Sequence, residues 1–190
     1  MINKAVFLDR DGVINKDVGY LDDFKKFKFL PNVIKAIKLL KKFNFKIVII
    51  TNQSGVARGY FSEEQLNKIH EKMLKIIEKK GGKIDEIYYC PHHPEFGNEK
   101  YKKKCSCRKP NIGLILKAKN ELNIDLEQSF FIGDKITDII AGNKAKCKTI
   151  LISSKNEIIS NNNLKDLKID YITNNLFNAV KWILSLKKEE

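Results

Sequence analysis

The sequence predicts an α/β fold, a parallel sheet covered by helices on both faces. Short, continuously apolar runs recur at residues 5–8, 47–50 and 130–132, and 149–152 is apolar after Thr149, as expected of strands buried on both sides. Segments with helical apolar spacing stand between them, and that alternation builds parallel sheets through crossover helices. Three of the predicted strands stop abruptly in polar groups, Asp9/Asp11, Thr51/Asn52 and Asp134. Open parallel sheets bind ligands beyond the carboxyl ends of their strands, where the strand order reverses, so these tips are expected to share one site.

Taken in order, residues 5–8 form a strand that ends at Asp9-Arg10-Asp11-Gly12. Pro31 opens a helix with Val33, Ile34, Ile37, Leu40 and Phe43 on one face, proline being favoured in a first turn. The strand at 47–50 runs into Thr51-Asn52-Gln53-Ser54-Gly55. Ser62 with Gln65 three residues on forms a capping box, and the helix it starts reaches about residue 80, where Gly81-Gly82 stops it. Residues 87–89 are a strand leading into a cysteine-rich stretch, and 112–122 read as a helix that Gly113 weakens. The strand at 130–132 ends in Gly133-Asp134, a helix follows to about residue 145, and 149–152 is a further strand. Residues 153–163 are polar and asparagine-rich, a surface loop; 171–172 is an edge strand and 176–186 a closing amphipathic helix. Neither repeat nor linker interrupts residues 1–190, so a single domain is expected.

Length (190 residues) and apolar content (43%) suit one globular core. No apolar run is long enough for a bilayer and the first residues do not read as a signal peptide, so a cytoplasmic monomer is expected. The 36 Lys+Arg against 23 Asp+Glu leave a net charge of +13, which raises the possibility of nucleic-acid binding. The lysines are scattered, however, with one tight run at 102–104, and arginine occurs only at 10, 58 and 108. The charge reads as solvated faces that help attract a phosphorylated metabolite; neither nucleic acid nor membrane is an expected partner.

Asp9 and Asp11 stand two residues apart, and such carboxylates repel unless a cation joins them. Mg²⁺ is the expected one, being hard and oxygen-seeking, with Asp9, Asp11 and Asp134 as ligands and Asp138, four residues on, in support. A carboxylate can attack phosphorus and form an acyl phosphate; Asp9, fixed by the strand, suits that role. Asp11 then protonates the leaving alkoxide and later takes a proton from water. Thr51 and the backbone N–H groups after it cradle phosphoryl oxygens, and Lys109 supplies positive charge. No G-x-x-x-x-G-K-[ST] occurs, which argues against a P-loop nucleotide site.

Of the cysteines 90, 105, 107 and 147, three fall within one short stretch. Cys90-Pro91-His92-His93 and Cys105-Ser106-Cys107 give C-x-H, twelve residues, C-x-C, with either His92 or His93 as a ligand. Four soft ligands suit a tetrahedral structural zinc, which would stiffen a loop that is otherwise entropically costly. Cys147 stands apart as a small apolar side chain.

The motifs Asp9-Arg10-Asp11-Gly12-Val13-Ile14, Thr51-Asn52-Gln53-Ser54-Gly55, Lys109 and Gly133-Asp134 through Asp138 resemble those of the haloacid-dehalogenase-type phosphatases. That resemblance implies a Rossmann-like core, Mg²⁺ dependence and the two aspartate roles above. Little beyond one helix lies between Asp11 and Thr51, so the chain is expected to be capless. With its zinc loop it is similar, more narrowly, to the D-glycero-D-manno-heptose 1,7-bisphosphate 7-phosphatase branch. By this resemblance Cys90, His92, Cys105 and Cys107 bind zinc, and Asp17, Gly19, Tyr20, Asn52, Gln53, Ser54, Arg108, Lys109 and Lys135 surround a phosphorylated sugar on the way to ADP-heptose and lipopolysaccharide core. Arg108 offers a bidentate fork to one phosphate, Lys109 a point charge. Histidinol-phosphate phosphatases share these motifs and are the first alternative. A DNA 3′-phosphatase or a zinc-stabilised nucleic-acid-binding module are the others.

Overall fold

Six strands, β1 (Asn3–Leu8), β2 (Lys46–Asn52), β3 (Glu86–Cys90), β4 (Ile124–Gly133), β5 (Lys148–Ile152) and β6 (Tyr171–Thr173), form one parallel sheet in the order β3-β2-β1-β4-β5-β6. The computed structural model describes residues 2–153 and 167–186; the loop expected at 153–163 lies, after Ser153, outside them. Both faces of the sheet are apolar, which explains the unbroken apolar runs. On one face Val6, Leu8, Ile47, Ile49, Phe130 and Ile132 pack with α1 (Val33–Lys42), the inner side of α2 (Glu63–Lys79) and α5 (Leu176–Leu186). On the other, Ala5, Phe7, Val48, Ile50 and Phe131 meet α3 (Gly113–Leu122) and α4 (Ile136–Lys144). Burying side chains on both faces of each strand supplies the apolar area that stabilises the core.

The chain runs outward from β1 through β2 to β3, then returns to β4 on the other side of β1. The strand order therefore reverses between β1 and β4. Leu8 pairs with Ile49 on one side and Ile132 on the other, so the carboxyl ends of β1, β2 and β4 reach the same edge. Between Asp11 and β2 the chain holds only α1 and one 3-10 turn at Phe24–Lys26, with no cap.

Several boundaries differ from expectation. Helix α1 starts at Val33, not Pro31, because Asn32 takes a left-handed backbone (φ 61°) before it. Phe43 ends that helix and is 41% exposed, whereas Phe45, on the far side of the turn, is buried. Strand β4 starts six residues early, at Ile124, with a break in register opposite Lys4–Val6; Ser129 in that irregular stretch receives the N–H of Ala5 at 2.9 Å. Gly113 begins α3 instead of interrupting it. A side chain there would overlap the backbone of Ser106, whose carbonyl accepts the Gly113 N–H at 2.9 Å. The cysteine loop thus docks directly on the helix end. The aromatic turn of Phe24, Phe27 and Phe29, stacked and edge-on at 5.0 and 4.8 Å, had no signature in the spacing.

Candidate active site

At the β1/β4 switch point Asp9 is buried, its Oδ1 accepting the Arg10 N–H at 2.8 Å and lying 3.0 Å from Lys109 Nζ. The same ammonium is 2.7 Å from Asp138 Oδ1 and donates to the Ile50 carbonyl at 2.7 Å. Lys109 is itself buried, so its three N–H groups join the tips of β1, β2 and α4. Asn52 fixes the Lys109 backbone from both sides, donating to its carbonyl at 3.1 Å and accepting its N–H at 3.0 Å. Asn52 was expected beside the substrate; here its amide is committed to holding Lys109.

Asp9, Asp134 and Asp138 bring oxygens within 4.8 Å of one another. Two glycines permit this. A side chain at Gly12, whose φ of +80° already disfavours one, would overlap the Asp134 carboxylate, and one at Gly133 would overlap Asp138. Burial, opposed by Lys109 and reinforced by Asp138 and Asp11, pushes the Asp9 carboxyl up to about 6. Burial and the neighbouring Asp9 raise Asp134 to about 7 despite Lys135. Asp134 Oδ1 is buried without a hydrogen-bond partner. Crowded carboxylates, raised pKa values and an orphaned oxygen fit a hard divalent cation.

The carboxylates brought together are those of Asp9, Asp134 and Asp138, the last expected in support, whereas the carboxylate of Asp11, expected as a ligand, turns into a separate hydrogen-bonded network. Arg10 reaches Asp11 through Nη2 (2.8 Å to Oδ2) and Nε (3.3 Å to Oδ1), Asn15 Nδ2 donates at 2.8 Å and Gln53 Nε2 at 2.9 Å. Burial raises the Asp11 carboxyl, but Arg10 and these amides together hold it below its ordinary value. Gln53 also donates to Thr51 Oγ1 at 2.9 Å, which leaves the buried Thr51 hydroxyl its own proton to donate. Gln53, expected at the substrate, faces inward for this reason.

The remaining expected residues are held by contacts of their own. Asp17 accepts the Gly19 N–H at 2.8 Å and Lys135 Nζ at 3.1 Å, linking the loop after β1 to the start of α4. Lys135 loses some charge preference to burial, but Asp134 and Asp17 raise its pKa overall. Tyr20 is 40% exposed and its ring lies 4.5 Å from that of Tyr60. The Ser54 carbonyl accepts from Arg58 N at 3.0 Å, and Arg108 Nη1 donates to the His92 carbonyl at 3.1 Å. A cleft of about 650 Å³ opens between the segment after β2 and the cysteine loop, lined by Arg58, Tyr60, Phe61, Phe96 and Tyr101 among others. Sequence reasoning passed over Arg10 and His70, although His70 stands at a core-facing position of α2 with Leu66, Met73 and Ile77.

The second cluster brings together Cys90, His92, Cys105 and Cys107, with ligand atoms all within 4.8 Å. Cys107 Sγ is 2.9 Å from Cys105, 3.2 Å from Cys90 and 3.2 Å from His92 Nδ1. The thiols are free of disulfides, and their number and type fit tetrahedral zinc. His93 is turned away. Its Nδ1 accepts the backbone N–H groups of Glu95 and Phe96, and its Nε2 lies 3.4 Å from Arg58.

The family model for polynucleotide kinase 3 phosphatase matches residues 8–171. The chain is 44% identical over 184 residues to the D-glycero-beta-D-manno-heptose-1,7-bisphosphate 7-phosphatase of Photorhabdus laumondii, with 97% of each chain covered. The Escherichia coli K12 protein of the same name is 44% identical over 145 residues, or 76% of each chain. Among solved structures, the D,D-heptose 1.7-bisphosphate phosphatase of B. bronchiseptica complexed with magnesium and phosphate superposes with a TM-score of 0.84 at 31% identity. It covers 96% of this chain and 99% of its own. No helix among the described residues is long and apolar enough to cross a membrane.

Proposed function

The chain belongs to the D-glycero-beta-D-manno-heptose-1,7-bisphosphate 7-phosphatase family, within the haloacid-dehalogenase-type phosphatases, and from that premise we propose that it removes the 7-phosphate of this sugar bisphosphate. The observation that carries the reading is the meeting of buried Asp9 and Asp138 with half-buried Asp134 at the sheet's switch point, with Lys109 bridging the two buried acids.

In the proposed reaction Asp9 attacks phosphorus, forming an aspartyl phosphate as the sugar oxygen departs. Lys109 holds the Asp9 carboxylate in place and offsets part of the charge gathered there. Asp11 is assigned both proton transfers: its protonated form protonates the departing oxygen, and the carboxylate that its lowered pKa favours then removes a proton from the water that cleaves the acyl phosphate. The Thr51 O–H donates to a phosphoryl oxygen. Asp9 and Asp134, with Asp138 beside them, would hold Mg²⁺, which supplies neutralisation of phosphoryl charge. Cys90, His92, Cys105 and Cys107 would hold a structural zinc. Arg108, Lys135, Asp17, Gly19, Tyr20 and Ser54 are assigned to the sugar and its second phosphate. The enzyme is proposed to act in the cytoplasm as a monomer, on the route to lipopolysaccharide core.

The test is a parallel assay of heptose 1,7-bisphosphate, histidinol phosphate and a 3′-phosphorylated oligonucleotide with Mg²⁺. The expected result is a kcat/KM for the heptose bisphosphate at least about 100-fold above the others. Preference for either competitor overturns the substrate assignment.

A further inference from the structure

We propose that His70 is a positioning residue for Asp11: through Arg10 it fixes the orientation of the carboxylate that serves as the proton donor. The inference rests on the acid–base role proposed for Asp11 and adds a residue outside every motif that carries that reading.

Arg10 is among the most deeply buried side chains of the protein, 1% exposed, so each of its N–H groups needs a partner. Nε and Nη2 face Asp11, and Nη2 also donates to Gln53 Oε1 at 3.1 Å. Nη1 meets His70 Nε2 at 3.0 Å. A guanidinium does not give up its proton, so the imidazole must be the acceptor, neutral and protonated on Nδ1. Burial and the nearby guanidinium, only partly offset by Asp11, push the imidazole down to about 3, in keeping with a neutral ring.

His70 lies in α2, and Arg10 and Asp11 lie in the loop after β1. The ring is therefore an anchor outside the acid loop, seated in a helix with Leu66, Ile69, Met73 and Ile77 buried on the same side. Without it the Nη1 end loses its acceptor and the fork can tilt, carrying the Asp11 carboxylate with it. Proton donors tolerate displacements of only about half an ångström.

Leaving-group chemistry separates this role from a purely structural one. A sugar alkoxide needs a proton as it leaves, whereas p-nitrophenolate is stable without one, so a misplaced acid lowers kcat/KM for alkyl phosphates selectively. Loss of folded enzyme lowers both equally. The experiment measures kcat/KM for an alkyl phosphomonoester and for p-nitrophenyl phosphate, with Mg²⁺, in wild type, H70L, H70Q and D11N. D11N is expected to lose about 100-fold on the alkyl ester and far less on the aryl one, and H70L to show about tenfold of the same selective loss. H70Q, which keeps an acceptor near the Nε2 position, recovers most of it. If leucine is not tolerated in the core, H70N, whose amide stops short of Nη1, takes its place with the same expected ratio.

A wild-type alkyl/aryl ratio in H70L, or H70Q impaired as fully as H70L, overturns the role of His70 alone. A D11N enzyme that loses both substrates equally overturns the acid–base assignment and this proposal with it.

Discussion

The two metal-type clusters are built on opposite principles. The carboxylates of Asp9 and Asp134 stand at the ends of adjacent buried strands, and Asp138 on the helix that follows. Backbone hydrogen bonds in the sheet set their spacing whether or not a cation is present, and the cost shows as raised carboxyl pKa values. The thiol cluster takes one ligand from the end of β3 and three from loop residues. No sheet dictates where Cys105 and Cys107 sit, so the four side chains depend on one another and, in the proposed reading, on an ion. The first cluster is a strained site on a rigid frame, the second a staple that makes its own frame.

The largest expected effect follows from that contrast. D9N should abolish turnover, by at least about a thousandfold, while thermal stability stays the same or rises, since it removes a buried acid whose ionised form is penalised. A calorimetric scan beside a steady-state assay checks both. A clear fall in Tm would mean that the acid supports the frame and would break the contrast at once.

C107A should act the other way. Elemental analysis should find zinc lost, and Tm should fall by about 5–10 °C, the shift that 2–3 kcal/mol gives in a domain of this size. The change in kcat should be smaller than the change in KM, because Arg108 and Lys109 follow the loop directly in sequence. Wild-type stability without bound zinc would remove the staple.

The pH dependence sharpens the acid half. Asp9 and Asp134 have folded pKa values of about 6 and about 7, above the ordinary 3.8. In the folded protein they bind protons that the unfolded chain has already released. The stability they contribute is full below the ordinary value and is lost as pH rises through 6 to 7. Asp11 runs opposite: its folded pKa is lowered, so its contribution is lost on acidification. Metal-free protein should therefore lose Tm from pH 5 to pH 8, and Mg²⁺ should restore more of it at pH 8 than at pH 5. Equal Mg²⁺ effects at both values would remove the trio as its site.

The contrast also explains what could be read in advance. Apolar runs that stop in acids reveal strand tips, and the parallel sheet aligns those tips, so the meeting of Asp9, Thr51 and Asp134 at one edge was legible. So was the grouping of Cys90, Cys105 and Cys107, because their spacing is itself the signal. Rotamers were not legible. Asn52 and Gln53 sit in a motif that points to substrate, yet one grips the Lys109 backbone and the other Asp11. The exchange of Asp11 for Asp138 in the trio has the same origin: the buried Arg10 fork draws Asp11 aside, while the first turn of α4 swings Asp138 back over Gly133. Backbone spacing decides neither. The early start of β4 was not legible because residues 127–129 are polar and offer no apolar run, and the Ser129 hydroxyl accepts the Ala5 N–H of β1.

The smallest effect tests whether the staple acts alone. Glu63, first residue of α2, accepts from Tyr89 at 2.9 Å and from Tyr101 at 2.8 Å, with Lys100 Nζ at 3.3 Å. Tyr101 and Lys100 belong to the loop between the two halves of the thiol cluster, so the loop has a second attachment that needs no metal. E63Q keeps an acceptor for one tyrosine and removes the charge, and should cost about 1 kcal/mol. Independent attachments would make E63Q and C107A additive. A loop already released at the thiols has less left to lose at Glu63, so the double variant should be less destabilised than the sum by about 0.5–1 kcal/mol. Denaturant unfolding of the four proteins measures that coupling. Strict additivity would leave the thiol cluster as the sole organiser of its own ligands, and a coupling of the predicted sign would make Glu63 a contributor to the cysteine loop's order.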